Sequence, residues 1–399
     1  MGLGKTFTGS EKMKQLGSKV NLIICQKSKV DDWVEHLTLY YESHFKMIYD
    51  CTKWDKKDWE AFAEDPDEPC VMVINYELAW RRKQLLLLHN FTLMLDESSV
   101  IQHDTTKRSS FILKLNPDNV ILLSGTPTGG KYENLISQLN LLGWKISEDL
   151  FWNQYVDWQW TDTDEGYWRK KINGYKNVER LKRKMREKGC HFLKTDEVFD
   201  LPDQIHQTIK IDITSEYKKF RKDLIVIVDG IELVGDTSFA ERLYKRQLCG
   251  QYNGNKLDAF EDLLESTEDR LIVFYNFNAE LDLLKHICEA HNREISIING
   301  QVKDLHAYEE INDSVTLIQY QAGAMGLNLQ KANKIIYFTP PDSSELFEQS
   351  KKRIHRIGQS QSCFYYYLTC KNSIEEEIYA TLAMRKDYTD ALYRKENKL

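Results

Sequence analysis

Two arginines near the C-terminal end of the chain, Arg353 and Arg356, have the chemistry to hold a phosphate group. If residues 349–356 are helical, Gln349, Arg353 and Arg356 share one face, because they are spaced at i, i+4 and i+7. Guanidinium groups are planar, permanently charged donors that pair well with phosphate oxygens. The spacing therefore predicts a phosphate clamp, while a solvated basic helix remains an equal alternative.

A second set of residues that could bind phosphate lies at the start of the chain. Residues 1–6 read Met-Gly-Leu-Gly-Lys-Thr, which matches the second half of a phosphate-binding glycine loop. In such a loop backbone N–H groups surround the phosphate, Lys5 reaches its oxygens and Thr6 binds Mg²⁺. Alone the motif is weak, because one so short also occurs by chance.

Two neighbouring carboxylates follow a short apolar segment in the same half of the chain. Residues 92–95 predict a buried strand, and Asp96 and Glu97 come directly after it. This position suits binding of Mg²⁺ by Asp96 and orientation of an attacking water molecule by Glu97. The alternative is a plain acidic turn after a strand. The glycine motif upstream favours the metal-binding and water-orienting roles over this alternative.

The composition fits a chain of several domains with a local nucleic-acid site. At 399 residues the length suggests two or three domains. Eight cysteines without a Cys-x-x-Cys pair argue against a zinc site or a disulfide framework. No apolar segment approaches the roughly 20 residues that a membrane helix needs. Since the net charge is −7, nucleic acid would have to bind a local basic surface.

Short continuous apolar segments predict strands that are buried on both faces. Longer amphipathic or polar stretches separate them, which indicates α/β alternation. Ligands of such sheets bind beyond the carboxyl ends of the strands, where most of the polar motifs fall. The predicted strands are residues 20–25, 71–75, 93–95 and 120–123 in the first half, and 271–275, 315–318, 335–338 and 364–368 in the second.

The segment between these two sets differs in composition. Five tryptophans crowd residues 144–168, and residues 169–188 contain ten Lys or Arg against two Glu. Because the basic stretch lacks Pro, we predict that it is helical. Its cations could contact a DNA backbone, since neutralising phosphates gives sequence-independent affinity. A solvated helix face is an equal alternative, and for the tryptophans we favour plain packing.

Together these motifs resemble those of the Swi/Snf-type ATPases of helicase superfamily two. Further matches follow in family order at residues 123–127 (Leu-Ser-Gly-Thr-Pro), 322–329 (Ala-Gly-Ala-Met-Gly-Leu-Asn-Leu) and 353–359 (Arg-Ile-His-Arg-Ile-Gly-Gln). The last resembles the signature that separates this family from other superfamily-two branches. The resemblance covers nearly the whole chain and is greatest to compact phage-encoded members.

The resemblance implies an α/β fold of two RecA-like parallel-sheet lobes in tandem, with a helical insertion between them. We expect the first lobe at residues 1–150 and a helical insertion, Trp-rich and then basic, at 151–200. A linking helical segment is expected at 201–253 and the second lobe at 254–399.

The resemblance also implies a motor that hydrolyses ATP with Mg²⁺ on DNA, to move along it or to remodel protein–DNA complexes. We expect the DNA to be duplex and bound without regard to sequence. We also expect replication or recombination proteins as partners and no membrane association. The expected location is the cytoplasm of a bacterium or a phage-infected cell.

Family positions assign roles to residues of both lobes. ATP binding is expected from Gly2, Gly4, Lys5, Thr6, Gly323 and Gly326, with Thr6 and Asp96 on the metal ion. Catalytic roles are expected for Glu97, Gln349, Arg353 and Arg356, with the two arginines approaching the γ-phosphate. DNA contacts are expected from Lys27, Ser28, Ser124, Thr126, Asn276 and Asn328.

Three pairs of residues depart from the family pattern. Ser98-Ser99 stands where helicases often carry Ala-His, Gln102-His103 replaces Lys-Asn, and Gly129-Gly130 replaces a Gln-Asn pair. These changes concern coupling and DNA contact more than phosphate chemistry.

Met1 falls inside the glycine loop, so we expect the natural chain to extend upstream with the strand that leads into the loop. If the nucleotide site is truncated, the alternative function is a catalytically impaired DNA-binding or assembly subunit. A P-loop kinase or metabolic NTPase would explain neither the arginine pair nor the second glycine motif.

Overall fold

The computed structural model describes residues 4–61, 68–103, 105–162, 168–193, 197–323 and 327–393. The chain divides into two compact units, which we call the first unit (Met1–Lys194 with Asp387–Leu399) and the second unit (Thr195–Lys386). Among the described residues, no helix combines the length and the apolar character needed to cross a membrane.

The first unit is built on a five-stranded parallel sheet in the order β2-β3-β1-β4-β5. Its strands are β1 (Val20–Cys25), β2 (Met47–Asp50), β3 (Cys70–Asn75), β4 (Phe91–Asp96) and β5 (Asn119–Leu123). Its helices are α1 (Lys5–Leu16), α2 (Val30–Tyr41), α3 (Lys56–Ala61), α4 (Tyr76–Ala79), α5 (Lys107–Ile112), α6 (Ile136–Leu141), α7 (Glu148–Tyr155) and α8 (Val178–Glu187).

The central strands of this sheet, β1, β3 and β4, are mostly apolar because both of their faces are covered. In β1 the side chains of Leu22 and Ile24 join one core, and those of Ile23 and Cys25 join the core on the opposite face. Helix α1 lies very close to the sheet, since a Cβ added at Gly9 would stand 2.8 Å from side-chain atoms of Leu123 and Met94. This close packing fixes the start of α1 relative to β4 and β5.

A smaller core in the first unit lies under a two-stranded antiparallel hairpin, β6 (Val156–Asp162) with β7 (Trp168–Tyr175). Its buried residues include Phe151, Tyr155, Leu181 and Met185. The prediction of a helical segment at 151–200 is therefore wrong for residues 156–162 and 168–175, and the basic helix is shorter than expected. Apolar and polar residues alternate along β6, which suits a strand with one solvated face.

The second unit contains a six-stranded parallel sheet in the order β12-β13-β11-β14-β15-β8. Its strands are β8 (Gln204–Ile211), β11 (Leu271–Tyr275), β12 (Ile295–Ile298), β13 (Val315–Gln319), β14 (Lys334–Tyr337) and β15 (Cys363–Cys370), besides a hairpin of β9 (Ile225–Val228) and β10 (Ile231–Val234). The helices are α9 (Ser215–Asp223), α10 (Ser238–Cys249), α11 (Gly254–Glu265), α12 (Asn278–Ala290), α13 (His306–Glu310), α14 (Tyr320–Gly323), α15 (Ser344–Lys351) and α16 (Ile374–Tyr393), which continues into residues of the first unit.

The prediction of two parallel-sheet α/β units in tandem is confirmed, and all eight predicted strands are present. The expected helical link at 201–253 is wrong in part, because it begins with β8 and includes the β9–β10 hairpin. Most of β8 is exposed, so it lacks the continuous apolar pattern of a buried strand. Its place at the sheet edge comes from pairing with β15, which is distant in sequence.

Candidate functional site

Lys5 and Glu97 meet at the carboxyl edge of the first sheet, with Lys5 Nζ 3.1 Å from Glu97 Oε1. Helix α1 begins at Lys5 after Gly4, whose φ of 68° is left-handed and favours glycine. The first turn of α1 has no acidic residue and no side-chain cap, so its backbone N–H groups suit a phosphate. Thr6, half-buried, belongs to the same turn.

Asp96 ends β4 and is held by two aromatic side chains. Trp33 donates its indole N–H to Asp96 Oδ2 at 2.9 Å, and the Tyr76 hydroxyl donates to the Asp96 backbone oxygen at 2.9 Å. Burial raises the pKa of Asp96, and the charge of Glu97 adds to this effect, while the Trp33 hydrogen bond and Lys5 oppose it. A carboxylate so enclosed and oriented would gain from a neighbouring cation.

Glu97 has a strained backbone, with a φ of 52° that is uncommon for residues other than glycine. Its Oε2 atom is buried and accepts no hydrogen bond within the described part of the chain. Such an unpaired buried acceptor suits a bound water molecule. These side chains fit a nucleotide with Mg²⁺: Thr6 and Asp96 offer hard oxygen ligands, Lys5 a cation and Glu97 an acceptor.

A buried network links the segment after Glu97 to the loop after β5. Ser98 donates its hydroxyl to Gln138 Oε1 at 2.9 Å, and Gln138 Nε2 donates to the Pro127 carbonyl at 2.8 Å. Asn134 Nδ2 donates to the Thr128 carbonyl at 2.9 Å and to Gln102 Oε1 at 2.8 Å.

Sequence reasoning missed Gln138 and Asn134. The only signal was two amides four residues apart shortly after the Leu-Ser-Gly-Thr-Pro motif. The network joins Ser98 and Gln102, two of the positions that depart from the family pattern, to the loop that precedes Gly129-Gly130.

The first-unit residues predicted to contact DNA differ in exposure. Lys27 and Ser28 are exposed in a short 3₁₀ turn after β1. Ser124 is partly exposed, and its Oγ accepts a hydrogen bond from the Thr126 backbone N–H at 3.1 Å. Thr126 is 8% exposed and its Oγ1 is buried. The loop turns the Thr126 hydroxyl inward, and a DNA contact by Thr126 stays a prediction.

In the second unit, the arginine pair does not share a helix face with Gln349 as predicted. Helix α15 ends at Lys351, and Arg353 and Arg356 lie in the turns that follow. The chain leaves the helix because Ile354 is fully buried and the Arg353 backbone oxygen accepts from Leu329 N–H at 3.1 Å. Gln349 donates to Glu345 within α15 at 3.2 Å.

The two arginines nevertheless converge. The Nη1 atoms of Arg353 and Arg356 both lie 3.5 Å from the Leu327 carbonyl oxygen, and Arg356 also donates to the Asn328 side chain. Arg353 is 4% exposed, and burial lowers the pKa of the half-buried Arg356. The two guanidinium groups are therefore placed together by tertiary contacts.

Two other residues of the 353–359 motif, both unassigned by sequence reasoning, brace this region. Gln359 donates to the carbonyls of Gln330 at 3.2 Å and Ala332 at 2.9 Å, and the His355 ring lies 2.9 Å from the Pro202 carbonyl.

The remaining predicted site residues of the second unit have mixed outcomes. Asn276 Nδ2 donates hydrogen bonds to Thr339 Oγ1 at 2.8 Å and to the Pro340 carbonyl at 3.0 Å. These bonds connect the segments that follow the neighbouring strands β11 and β14. Asn328 is exposed beside Arg356. Gly323 ends α14, whereas Gly2 and Gly326 lie outside the described residues. The DNA and ATP roles of these residues stay predictions.

Comparison with known proteins gives matches to two family models. The SNF2-related domain matches residues 1–254, and the helicase conserved C-terminal domain matches residues 255–358. The first of these matches contains the Lys5, Asp96 and Glu97 site, and the second ends within the 353–359 motif.

Similar curated proteins include chromatin-remodelling ATPases. The chain is 25% identical over 95% of its length to a mouse (Mus musculus) protein named "SWI/SNF-related matrix-associated actin-dependent regulator of chromatin subfamily A member 1". It is 24% identical over its whole length to the "ISWI chromatin-remodeling complex ATPase ISW1" of Saccharomyces cerevisiae. In both cases the matched part is 39% of the relative, so the chain spans well under half the length of these proteins.

Among solved structures, the chain is similar to a Sulfolobus solfataricus SWI2/SNF2 ATPase core in complex with dsDNA. The TM-score is 0.43 at 21% identity, over 98% of this chain and 86% of the other.

Proposed function

Since this chain belongs to the SNF2-related domain family, we propose that it is an ATP-dependent motor that moves on duplex DNA or remodels protein–DNA complexes. The observation that carries the proposal is the contact of 3.1 Å between Lys5 and Glu97, beside Asp96 at the end of β4. This contact supports the proposal because it brings a lysine cation and two carboxylates together at one edge of a parallel sheet, where they would suit phosphate, Mg²⁺ and an attacking water molecule.

The proposed reaction is attack of water on the γ-phosphorus of ATP, with cleavage of the bond to the β–γ bridging oxygen. Lys5 Nζ would turn from Glu97 to the phosphate oxygens, which leaves the Glu97 carboxylate to orient the water and accept its proton. Mg²⁺, held by Thr6 and Asp96, would neutralise charge on the phosphates. The products are ADP and inorganic phosphate.

The proposed DNA contacts are mainly to phosphates. Lys27 and Ser28 follow β1 on the exposed surface of the first unit, where a cation and a hydroxyl can meet a phosphate backbone. The similar mouse and yeast proteins are named for chromatin, in which DNA is duplex, and this favours duplex DNA as the partner. Affinity should therefore depend little on sequence and fall steeply as salt rises.

The test is ATP hydrolysis by the 399-residue chain without nucleic acid and with single-stranded DNA, duplex DNA or RNA. We expect stimulation by duplex DNA, and Glu97→Gln should lower kcat by roughly 10²–10⁴-fold while KM for ATP changes little. Glu42→Gln is the matched control, because Glu42 is exposed at the end of α2. Equal activity of Glu97→Gln and the native chain would reject the assigned role of Glu97.

Absence of hydrolysis in every condition, with DNA binding retained, would favour the alternative of a catalytically impaired DNA-binding or assembly subunit. Arg356→Ala should also lower kcat if the second-unit arginines take part in hydrolysis.

A further inference from the structure

The β6–β7 hairpin exposes two tryptophans that the proposed function does not use. Trp160 is 55% exposed and Trp168 is 68% exposed. Side chains of this size are usually well covered, so the prediction that the tryptophans serve plain packing is wrong for these two. Trp152 and Trp158, in contrast, pack against the small core below the hairpin.

Strand register places the exposed indoles on one face of the hairpin. Trp160 pairs with Lys170, and Trp168 pairs with Asp162, two positions along on the same face. Diagonal neighbours of this kind lie roughly 7–8 Å apart. Lys170 therefore has two exposed indole side chains as neighbours on this face.

The ammonium group of Lys170 contacts the two partly buried indoles, those of Trp152 and Trp158. Lys170 Nζ lies 4.7 Å from the centre of the Trp152 ring and 4.9 Å from that of Trp158. Trp158 and Trp160 meet edge to face at 5.4 Å, which orients the outer ring. The ammonium group of Lys170 therefore lies over Trp152 and Trp158, while Trp160 and Trp168 leave large parts of their indole rings in solvent on the same face.

The surrounding charge favours a polyanion. Residues 156–188 carry ten Lys or Arg against six Asp or Glu, a net charge of +4, whereas the whole chain has a net charge of −7. Glu179 and Glu187 pair with Lys182 and Lys184, and the exposed Arg169 and Lys171 lie on the face of the hairpin opposite to Lys170. Asp162 is the acidic residue on the tryptophan face among the described residues of the hairpin.

We propose that this face, defined by Trp160, Lys170 and Trp168, binds unpaired bases of single-stranded DNA. Indole rings stack on the faces of bases, and a nearby cation meets the phosphates that connect them. A duplex hides its base faces inside the helix stack, so these indoles suit an unpaired strand. The proposal goes beyond duplex translocation, which requires phosphate contacts alone.

The test compares binding of fluorescein-labelled oligothymidylate with binding of a labelled duplex of equal length by the full chain. We expect Trp160→Ala and Trp168→Ala each to weaken single-strand binding by about tenfold, the scale of one base stack. Duplex affinity and duplex-stimulated ATP hydrolysis should stay within about twofold. Trp160→Phe and Trp168→Phe should retain most single-strand affinity, because a phenyl ring still stacks.

Phe239→Ala is the matched control, since Phe239 is 75% exposed in the second unit. Thermal unfolding of each variant checks that the hairpin core remains intact. Unchanged single-strand affinity in both alanine variants would overturn the proposal and leave the face to a protein partner. Equal losses for single strands and duplex would also overturn it, since they would indicate phosphate contacts alone. Binding is measured without ATP, so a chain that fails to hydrolyse ATP still tests this proposal.

Discussion

The hydrogen bonds of Gln138 predict how far the free energy of unfolding should fall when this side chain is replaced. Gln138→Leu removes the acceptor for Ser98 Oγ at 2.9 Å and the donor to the Pro127 carbonyl at 2.8 Å. Ser98 is 1% exposed and Gln138 is 4% exposed, so water cannot readily replace either partner. A buried polar group left unpaired costs about 1–3 kcal/mol, so the two partners together give a loss of roughly 2–6 kcal/mol in the free energy of unfolding.

The partner substitution separates the hydrogen bond from general damage. Ser98→Ala alone should cost about 1–3 kcal/mol, because Gln138 Oε1 loses its donor. In the double variant Ser98→Ala/Gln138→Leu neither the Ser98 hydroxyl nor Gln138 Oε1 is left unpaired, so the combined loss should fall short of the sum by about 2–3 kcal/mol. Urea unfolding of the four chains measures this cycle, with the exposed Gln15→Leu as control.

The same variants test whether the network transmits DNA binding to Glu97. We expect Gln138→Leu to lower the stimulation of ATP hydrolysis by duplex DNA about tenfold, which corresponds to about 1.4 kcal/mol in the barrier. Hydrolysis without DNA and KM for ATP should change much less. Additive unfolding energies, within about 0.3–0.5 kcal/mol, would refute the energetic reasoning. Unchanged stimulation by DNA would refute the functional role.

Two further predictions concern buried charges. The pKa of Asp96 is raised in the folded chain, so ionisation of this carboxyl lowers the free energy of unfolding. This destabilisation develops as the pH rises through the ordinary aspartate range. Asp96→Asn should therefore raise Tm at pH 7, and this gain should be lost below about pH 4. The same variant should abolish Mg²⁺-dependent hydrolysis. A lower Tm at pH 7 would contradict the argument. In the second unit, Lys256 Nζ lies 2.6 and 2.7 Å from the Glu375 oxygens, and both residues are buried. Lys256→Met should lower the free energy of unfolding by about 3–5 kcal/mol, and Lys256→Met/Glu375→Gln should recover most of it. Urea unfolding measures both, and an equal loss in the double variant would show that the isolated charge is not the cause.

Much of the fold follows from local patterns in the sequence. Strands such as β1 and β11 are covered on both faces, so nearly every residue is apolar and the strand is visible as a continuous segment. The position of Asp96 and Glu97 follows in turn, because polar residues directly after such a strand lie at the carboxyl edge of the sheet. Lys5 could be assigned with them, since a lysine after glycines at a helix start has a specific chemistry.

Partly exposed elements were harder to predict. Strand β8 is mostly exposed, and its pairing with β15 joins residues far apart in the sequence. The β6–β7 hairpin occupies a segment that we predicted to be helical, with its tryptophans packed. Residue type alone does not tell whether a tryptophan side chain is buried or exposed.

The sequence by itself determined which residues have the chemistry to hold phosphate and which apolar segments form the sheets, because residue type and short-range spacing encode these properties. Tertiary structure decided which side chains meet. It ended α15 at Lys351 and still brought Arg353 and Arg356 to the Leu327 carbonyl, because burial of Ile354 outweighs continuation of the helix. It also joined Ser98 to Gln138, 40 positions away, since a buried hydroxyl is stable only where the folded chain supplies its partner.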